Sequence, residues 1–211
     1  MIQIEINEIF ESVFGEGMNM GLPCTFIRLQ GCNCRCKWCD TKYAQVVGEG
    51  TMLKINEIIE AVRDYGHKWV SLTGGEPLLV SEPLTDLIYR LQMKGHQVQI
   101  ETNCSIDPLK HSIADRIAVS PKLPSAGEQA VKMMHYNYIE CLSKDDEVKF
   151  VISTGEDLRE AFRIIDEHPT DAPIIFQPEG GIDGGWLFEY TKNVDRMIRI
   201  LPQLHKIFKI K

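Results

Sequence analysis

No apolar stretch in this sequence approaches the roughly 18 residues needed to cross a membrane, and nothing in it is repeated or low in complexity. Basic residues are outnumbered: 23 Lys and Arg face 30 Asp and Glu, a formal net charge of −7. That balance argues against a sequence-independent hold on nucleic acid, while leaving room for a local pocket that binds a small anion. The six histidines, at 67, 96, 111, 135, 168 and 205, show no ligand spacing. The second Cys-x-x-Cys pair that a structural zinc site ordinarily uses is missing as well. No secretory leader is recognised, the seven cysteines are odd in number, and 211 residues suffice for a core without staples. A disulfide framework is therefore not expected; the expectation is a single domain over residues 1–211 in the cytoplasm, with neither membrane nor nucleic acid as partner.

What is present is cysteine in one place. Cys32, Cys34, Cys36 and Cys39 crowd into the segment Gly31 to Thr41, directly after the apolar run Thr25 to Leu29. No fold needs that density for packing. Cys32, Cys36 and Cys39 have the spacing Cys-x-x-x-Cys-x-x-Cys, which lets three thiolates on one loop converge on an inorganic cluster. Fully ligated electron-transfer clusters use four cysteines, so three leave one iron open to a substrate or cofactor. Cys34 lies between the ligand positions and reads as a loop residue that happens to be cysteine.

Strand and helix patterns alternate along the rest of the chain. Ile2, Ile4 and Ile6 alternate with polar residues as in a half-buried strand, leading into the turn Ser12 to Gly17. A strand from Cys24 to Gly31 precedes the cysteine loop, and a polar stretch runs to about Thr51. Ile55, Ile58, Ile59 and Val62 fall at helical spacing. Further strands are expected at Trp69 to Thr73, Val98 to Glu101, Ile117 to Val119, Val148 to Ile152 and Ile174 to Phe176. Further helices are expected through Leu84 to Leu91, through Leu158 to Ile165, and from Trp186 to Met197. The pattern is six strand-plus-helix units, which predicts a parallel α/β sheet with right-handed crossovers. A closed eight-unit barrel takes about 250 residues, so a partial, open TIM-like barrel is expected.

The unusual polar residues follow the strands: the cysteine loop, Gly74-Gly-Glu76, Glu101-Thr-Asn103, Ser120-Pro-Lys122 and Gln177-Pro-Glu179. Parallel α/β folds build their sites at the carboxyl ends of strands, so these fragments are expected to meet at one rim. Each has a plainer alternative. Gly-Gly-Glu-Pro is by itself an ordinary turn; after a buried strand, its glycines would expose carbonyls to an ammonium group. Glu101 ends an apolar strand, where burial is costly without a partner; a cation, a helix cap or a salt bridge would each serve. Lys122 is a site residue or a surface lysine. Arg28, inside the strand Phe26-Ile-Arg-Leu-Gln, suits bidentate capture of a carboxylate, with an internal ion pair as the alternative.

Cys32-x-x-x-Cys36-x-x-Cys39 with Trp38 before the last cysteine, followed by Gly74-Gly-Glu-Pro77, resembles the radical S-adenosylmethionine superfamily. More narrowly, Phe14-Gly-Glu-Gly17, Phe26-Ile-Arg-Leu29, Gly31-Cys-Asn33, Trp38-Cys-Asp-Thr41, Glu101-Thr102, Ser120-Pro-Lys122 and Leu201-Pro-Gln-Leu-His205 resemble the 7-carboxy-7-deazaguanine synthase family. That family converts 6-carboxy-5,6,7,8-tetrahydropterin by a ring contraction that releases ammonia, supplying the deazapurine of queuosine and related bases.

The resemblance implies a role for each fragment. Cys32, Cys36 and Cys39 would hold a four-iron, four-sulfur cluster whose free iron chelates S-adenosylmethionine; the reduced cluster would cleave it to methionine and a 5′-deoxyadenosyl radical. Gly75 and Glu101 would receive the methionine end, and Trp38, Cys39, Asp40, Ser120, Pro121, Lys122, Gln177, Pro178, Glu179 and Gly180 the remainder. The backbone of Val13, Phe14 and Gly15, with Arg28 and Thr73, would hold the pterin, Arg28 facing its carboxylate. Thr41 would bind Mg²⁺. No separate catalytic acid or base is nominated, since the cofactor carries the hard step. An electron donor such as a flavodoxin or ferredoxin and a homodimer are the expected partners. Two residues depart from the family pattern: Phe14 stands where many members carry glutamine, and Cys34 where leucine is usual. The alternatives are a radical activase of a glycyl-radical enzyme, which would not call for Arg28 and Ser-Pro-Lys together, and a non-enzymatic zinc or iron–sulfur binding module.

Overall fold

Ile4 and Ile6 are buried on one face of the first strand while Gln3, Glu5 and Asn7 stay at least partly exposed, the alternation of a half-buried strand. The computed structural model describes residues 2–111, 113–181 and 183–211. Its strands are β1 (Gln3–Val13), β2 (Pro23–Leu29), β3 (Thr51–Lys54), β4 (Trp69–Gly74), β5 (Gln97–Thr102), β6 (Arg116–Val119), β7 (Glu147–Ile152), β8 (Ile174–Pro178) and β9 (Ile198–Ile200). They form one sheet in the order β3-β1-β2-β4-β5-β6-β7-β8-β9. Neighbours from β2 to β9 pair in parallel, and the sheet stays open between β3 and β9, as expected for a partial barrel.

The helices are α1 (Ile55–Tyr65), α2 (Ser81–Met93), α3 (Glu128–Val131), α4 (Gly155–Glu167), α5 (Gly185–Thr191) and α6 (Leu204–Phe208). α1 buries Ile55, Ile58 and Val62 and stops where Gly66 takes φ 73°, a left-handed conformation that glycine adopts without strain. α4 starts at Thr154, whose side chain accepts from Asp157 N–H while the Asp157 carboxylate accepts from Thr154 N–H, a reciprocal cap that satisfies two orphan donors. One apolar cluster lies between the sheet and α1 and α2, built on Ile27, Leu29, Leu72, Leu87 and Leu91. A second lies under α4, around Phe150, Phe176 and Ile164. Burial stabilises each such side chain by about 1.5–3 kcal/mol, far more than helix propensity contributes. Packing therefore fixes these helices on the sheet.

Four features correct the expected pattern. β1 runs antiparallel to β2 and to β3; for the β1–β2 pair, the turn at residues 14–22 is too short for a parallel crossover. The polar stretch ends in β3, a four-residue edge strand with two exposed positions, too short for a period to register. Among the described residues, no α-helix separates β5 from β6; a 3₁₀ turn at Pro108–His111 stands there instead. The last expected helix ends at Thr191 rather than Met197: Asn193 and Asp195 favour turns over helix interiors, and the chain proceeds to β9.

Candidate active site

All five strand-end fragments open into a single cavity of about 280 Å³. Cys32, Cys36, Trp38, Cys39, Asp40 and Thr41 line it from the loop after β2; Thr73, Gly74 and Gly75 from β4; Glu101 from β5; Ser120 and Lys122 from the segment after β6; Gln177, Glu179 and Gly180 from β8. Val13, Gly15 and Arg28 face it from the N-terminal strands. Three expected site residues do not. Pro121 and Pro178 are buried beside the rim without lining it. The Phe14 side chain turns into the core, edge-on to Phe26 and Trp69, and its backbone N–H and C=O are bonded to Leu22 and Gly21. Its backbone is therefore committed to the turn before any ligand arrives.

The cysteine loop is held from both sides. Gly31 N–H donates to Ala44 O (2.8 Å) and Cys32 N–H to Gln45 O (3.0 Å), while Glu76 N–H donates to Gly31 O at 2.8 Å. A Cβ on Gly75 would lie 1.9 Å from Gly31 O, so the close approach of the two loops requires glycine there. Hydrogen bonding from the neighbouring Cys34 is the largest influence on the Cys32 thiol and holds it below its ordinary value, with Lys122 and Arg35 adding to it and burial opposing. Burial pushes the Cys36 thiol up. Among the described residues, no three side chains of His, Cys, Asp or Glu are grouped to hold a metal ion. Cys32, Cys36 and Cys39 all line the one cavity, where three thiolates from one loop would hold an iron–sulfur cluster.

Around the cysteines, the rim is cross-linked by polar groups. Lys122 Nζ donates to Ser120 Oγ at 3.2 Å and lies 5.6 Å from the Trp38 ring centroid; Trp38 Nε1 donates to Ser125 Oγ at 3.0 Å. Thr41 Oγ1 donates to Asp40 Oδ1 at 2.9 Å. Glu101 accepts from Ser71 Oγ (3.0 Å) and Thr73 Oγ1 (3.1 Å), so two hydroxyls of β4, rather than a directly bonded cation, compensate its position at the strand end. Arg28 takes up the internal ion pair that was its plainer alternative. Its Nε donates to Glu8 Oε1 at 2.9 Å, Phe10 and Tyr43 flank its guanidinium at 5.4 and 5.7 Å, and the side chain still reaches the cavity.

Several cavity or rim residues escaped the sequence reading. Glu76, read only as part of a turn, is buried and accepts from Thr102 Oγ1 (2.8 Å), Asn103 N–H (2.7 Å) and Leu78 N–H (3.0 Å), stitching β4 to β5. Burial raises its carboxyl to about 7 against those donors. Glu16 accepts from Lys149 Nζ, from Gln177 Nε2 (3.0 Å) and from Gln203 Nε2. Burial alone would raise the Glu16 carboxyl, but Lys149 and the two amides hold it at about 2. Lys149 carried a usable signal, since a lysine inside the apolar strand Val148-Lys-Phe-Val151 needs a partner just as Arg28 does. His205 crosses above Gly15, where an added Cβ would lie 2.0 Å from Nδ1.

The likeness expected from the motifs is borne out by comparison with known proteins. The family model described as Radical SAM superfamily matches residues 26–166. The 7-carboxy-7-deazaguanine synthase of Methanospirillum hungatei is 36% identical over 205 residues, covering 96% of this chain and 84% of that relative. The one from Thermoplasma acidophilum is 34% identical over 202 residues, covering 96% and 95%. The crystal structure of QueE from Escherichia coli superposes with a TM-score of 0.70 at 25% identity, covering 94% of this chain and 92% of that one. Sheet, cysteine loop and relatives agree over nearly the whole length: the chain is an enzyme that belongs to the radical S-adenosylmethionine superfamily and, within it, to the 7-carboxy-7-deazaguanine synthase family.

Proposed function

We propose that this enzyme converts 6-carboxy-5,6,7,8-tetrahydropterin to 7-carboxy-7-deazaguanine with release of ammonia, a carbon–nitrogen lyase step in queuosine and 7-deazapurine biosynthesis. The observation that carries it is the placement of Arg28 in the same cavity as Cys32, Cys36 and Cys39: a carboxylate-binding fork faces the space where a radical would form. The cluster and S-adenosylmethionine together supply the hydrogen-abstracting radical; the chain binds, orients and excludes water.

Cys32, Cys36 and Cys39 would hold the cluster. Gly75 and Glu101 would take the methionine end of S-adenosylmethionine, with Trp38, Asp40, Ser120, Lys122, Gln177, Glu179 and Gly180 along the rest, and Pro121 and Pro178 shaping the loops behind them. Val13, Gly15, Thr73 and Arg28 would hold the pterin, Phe14 anchoring that turn from the core. Gln177 Oε1 is a buried acceptor without a hydrogen-bond donor among the described residues, so a ligand N–H in the cavity would complete it. Thr41 would bind Mg²⁺, which commonly keeps several waters and completes its shell from substrate oxygens; a cation there would steer the rearrangement electrostatically.

The wider assignment is a single domain over residues 1–211, reduced by a flavodoxin or ferredoxin. The edges of β3 and β9, unpaired among the described residues, favour a homodimer. Seven free thiols suit a reducing, cytoplasmic compartment, and no helix among the described residues is long and apolar enough to cross a membrane. The test is an anaerobic assay of iron-reconstituted protein with S-adenosylmethionine, with and without the pterin, following products by mass spectrometry. Deazaguanine formed only with the pterin, and faster with Mg²⁺, is expected; 5′-deoxyadenosine without a deazaguanine product would overturn the substrate assignment.

A further inference from the structure

The peptide joining Asn33 to Cys34 sits within the cysteine loop, and its N–H donates to Cys32 Sγ at 3.4 Å. One side chain grips both residues that flank this donor. Asn103 Nδ2 donates to Asn33 Oδ1 at 3.0 Å and to Cys34 Sγ at 3.4 Å. Asn103 is itself immobilised: its N–H donates to buried Glu76 at 2.7 Å, and its Oδ1 accepts from Ser105 N–H at 2.9 Å. Ser105 Oγ in turn accepts from Asn33 Nδ2 at 2.7 Å, closing the ring. The next residue, Cys104, is buried and takes φ 74°, a conformation a non-glycine residue keeps only where its surroundings over-determine it.

We infer that Asn103 is a positioning residue which, by clamping Asn33 and Cys34, aims the Cys34 N–H at the Cys32 sulfur and thereby raises the reduction potential of the cluster that Cys32, Cys36 and Cys39 hold. This rests on the cluster assignment of the proposed function. A hydrogen bond to a ligand sulfur stabilises the reduced, more negative cluster over the oxidised one, and such bonds are among the terms that set cluster potentials. It also gives buried Cys34 a part that is not ligation: its sulfur is an acceptor for the clamp.

The test is a mediated dithionite titration of the reconstituted holoenzyme and its Asn103→Ala variant, counting the singly reduced cluster by its EPR signal. Expected is an unchanged iron content with a roughly tenfold lower ratio of reduced to oxidised cluster at the wild-type midpoint, equivalent to about 59 mV for one electron. A variant with full iron content and the wild-type midpoint overturns the inference. Should Asn103→Ala not hold the cluster, the Asn33→Ala variant decides in its place, since it loosens the clamp and keeps both the Cys34 thiol and the donating N–H. A lowered midpoint there supports the clamp and an unchanged one overturns it. Wild-type protein that takes up no cluster would overturn the proposed function and the inference together, so wild-type iron content tells the two failures apart.

Discussion

Lys149 on β7 and Glu16 in the turn after β1 form an ion pair inside the cavity wall, although 133 residues separate them in sequence. Removing one partner of such a pair leaves an uncompensated charge, which costs about 3–5 kcal/mol. Lys149→Met is expected to destabilise the protein on that scale in urea unfolding. The same pair sets an acid limit. The Glu16 carboxyl drops from an ordinary 4.5 to about 2 on folding, so its stabilisation is complete above pH 4.5 and is lost as pH falls from there through 2. Glu16→Gln should flatten the stability profile in that window; an unaltered profile would show that the pair does not couple folding to protonation.

Gly15 lies beneath His205, and Gly15 O accepts from Leu204 N–H at 2.8 Å. In Gly15→Ala the new methyl group would meet the imidazole, forcing the segment around His205 off the turn. Turnover is expected to fall at least about tenfold, equivalent to about 1.4 kcal/mol in the barrier, with iron content unchanged. Wild-type kinetics would show that the closing segment does not matter to the pocket.

Cys36→Ala is expected to abolish cluster binding, whereas Cys34→Ala should keep the full iron complement, as measured by iron and sulfide analysis after reconstitution. Equal losses in the two variants would make Cys34 a ligand.

Arg28 presents the cavity with a guanidinium already fixed through Nε by Glu8. Arg28→Ala should leave iron content unaltered and cut turnover of the carboxylated pterin by about 10²-fold or more, in line with loss of a bidentate, charge-assisted contact. Arg28→Lys should rescue little of it, because an ammonium cannot reproduce the fork. Full activity in Arg28→Ala would remove its carboxylate role.

Much of this enzyme is legible in local pattern. Apolar periodicity located β2, β4 to β8 and the helices α1, α2 and α4, because a residue's preference for burial repeats with the geometry of its own element. The cysteine spacing and Gly74-Gly-Glu-Pro77 named the chemistry, because a cluster and a close loop crossing each demand particular residue types at short range. Tertiary structure alone decided which distant groups meet. It paired Glu16 with Lys149 and Arg28 with Glu8, gave Glu76 its three donors, turned Phe14 into the core, and set Asn103 against the cysteine loop. It also ended α5 at Thr191 and added β3 and β9 at the edges. Such contacts follow from sheet order and loop closure, which bring together residues that carry no mark of one another in the chain.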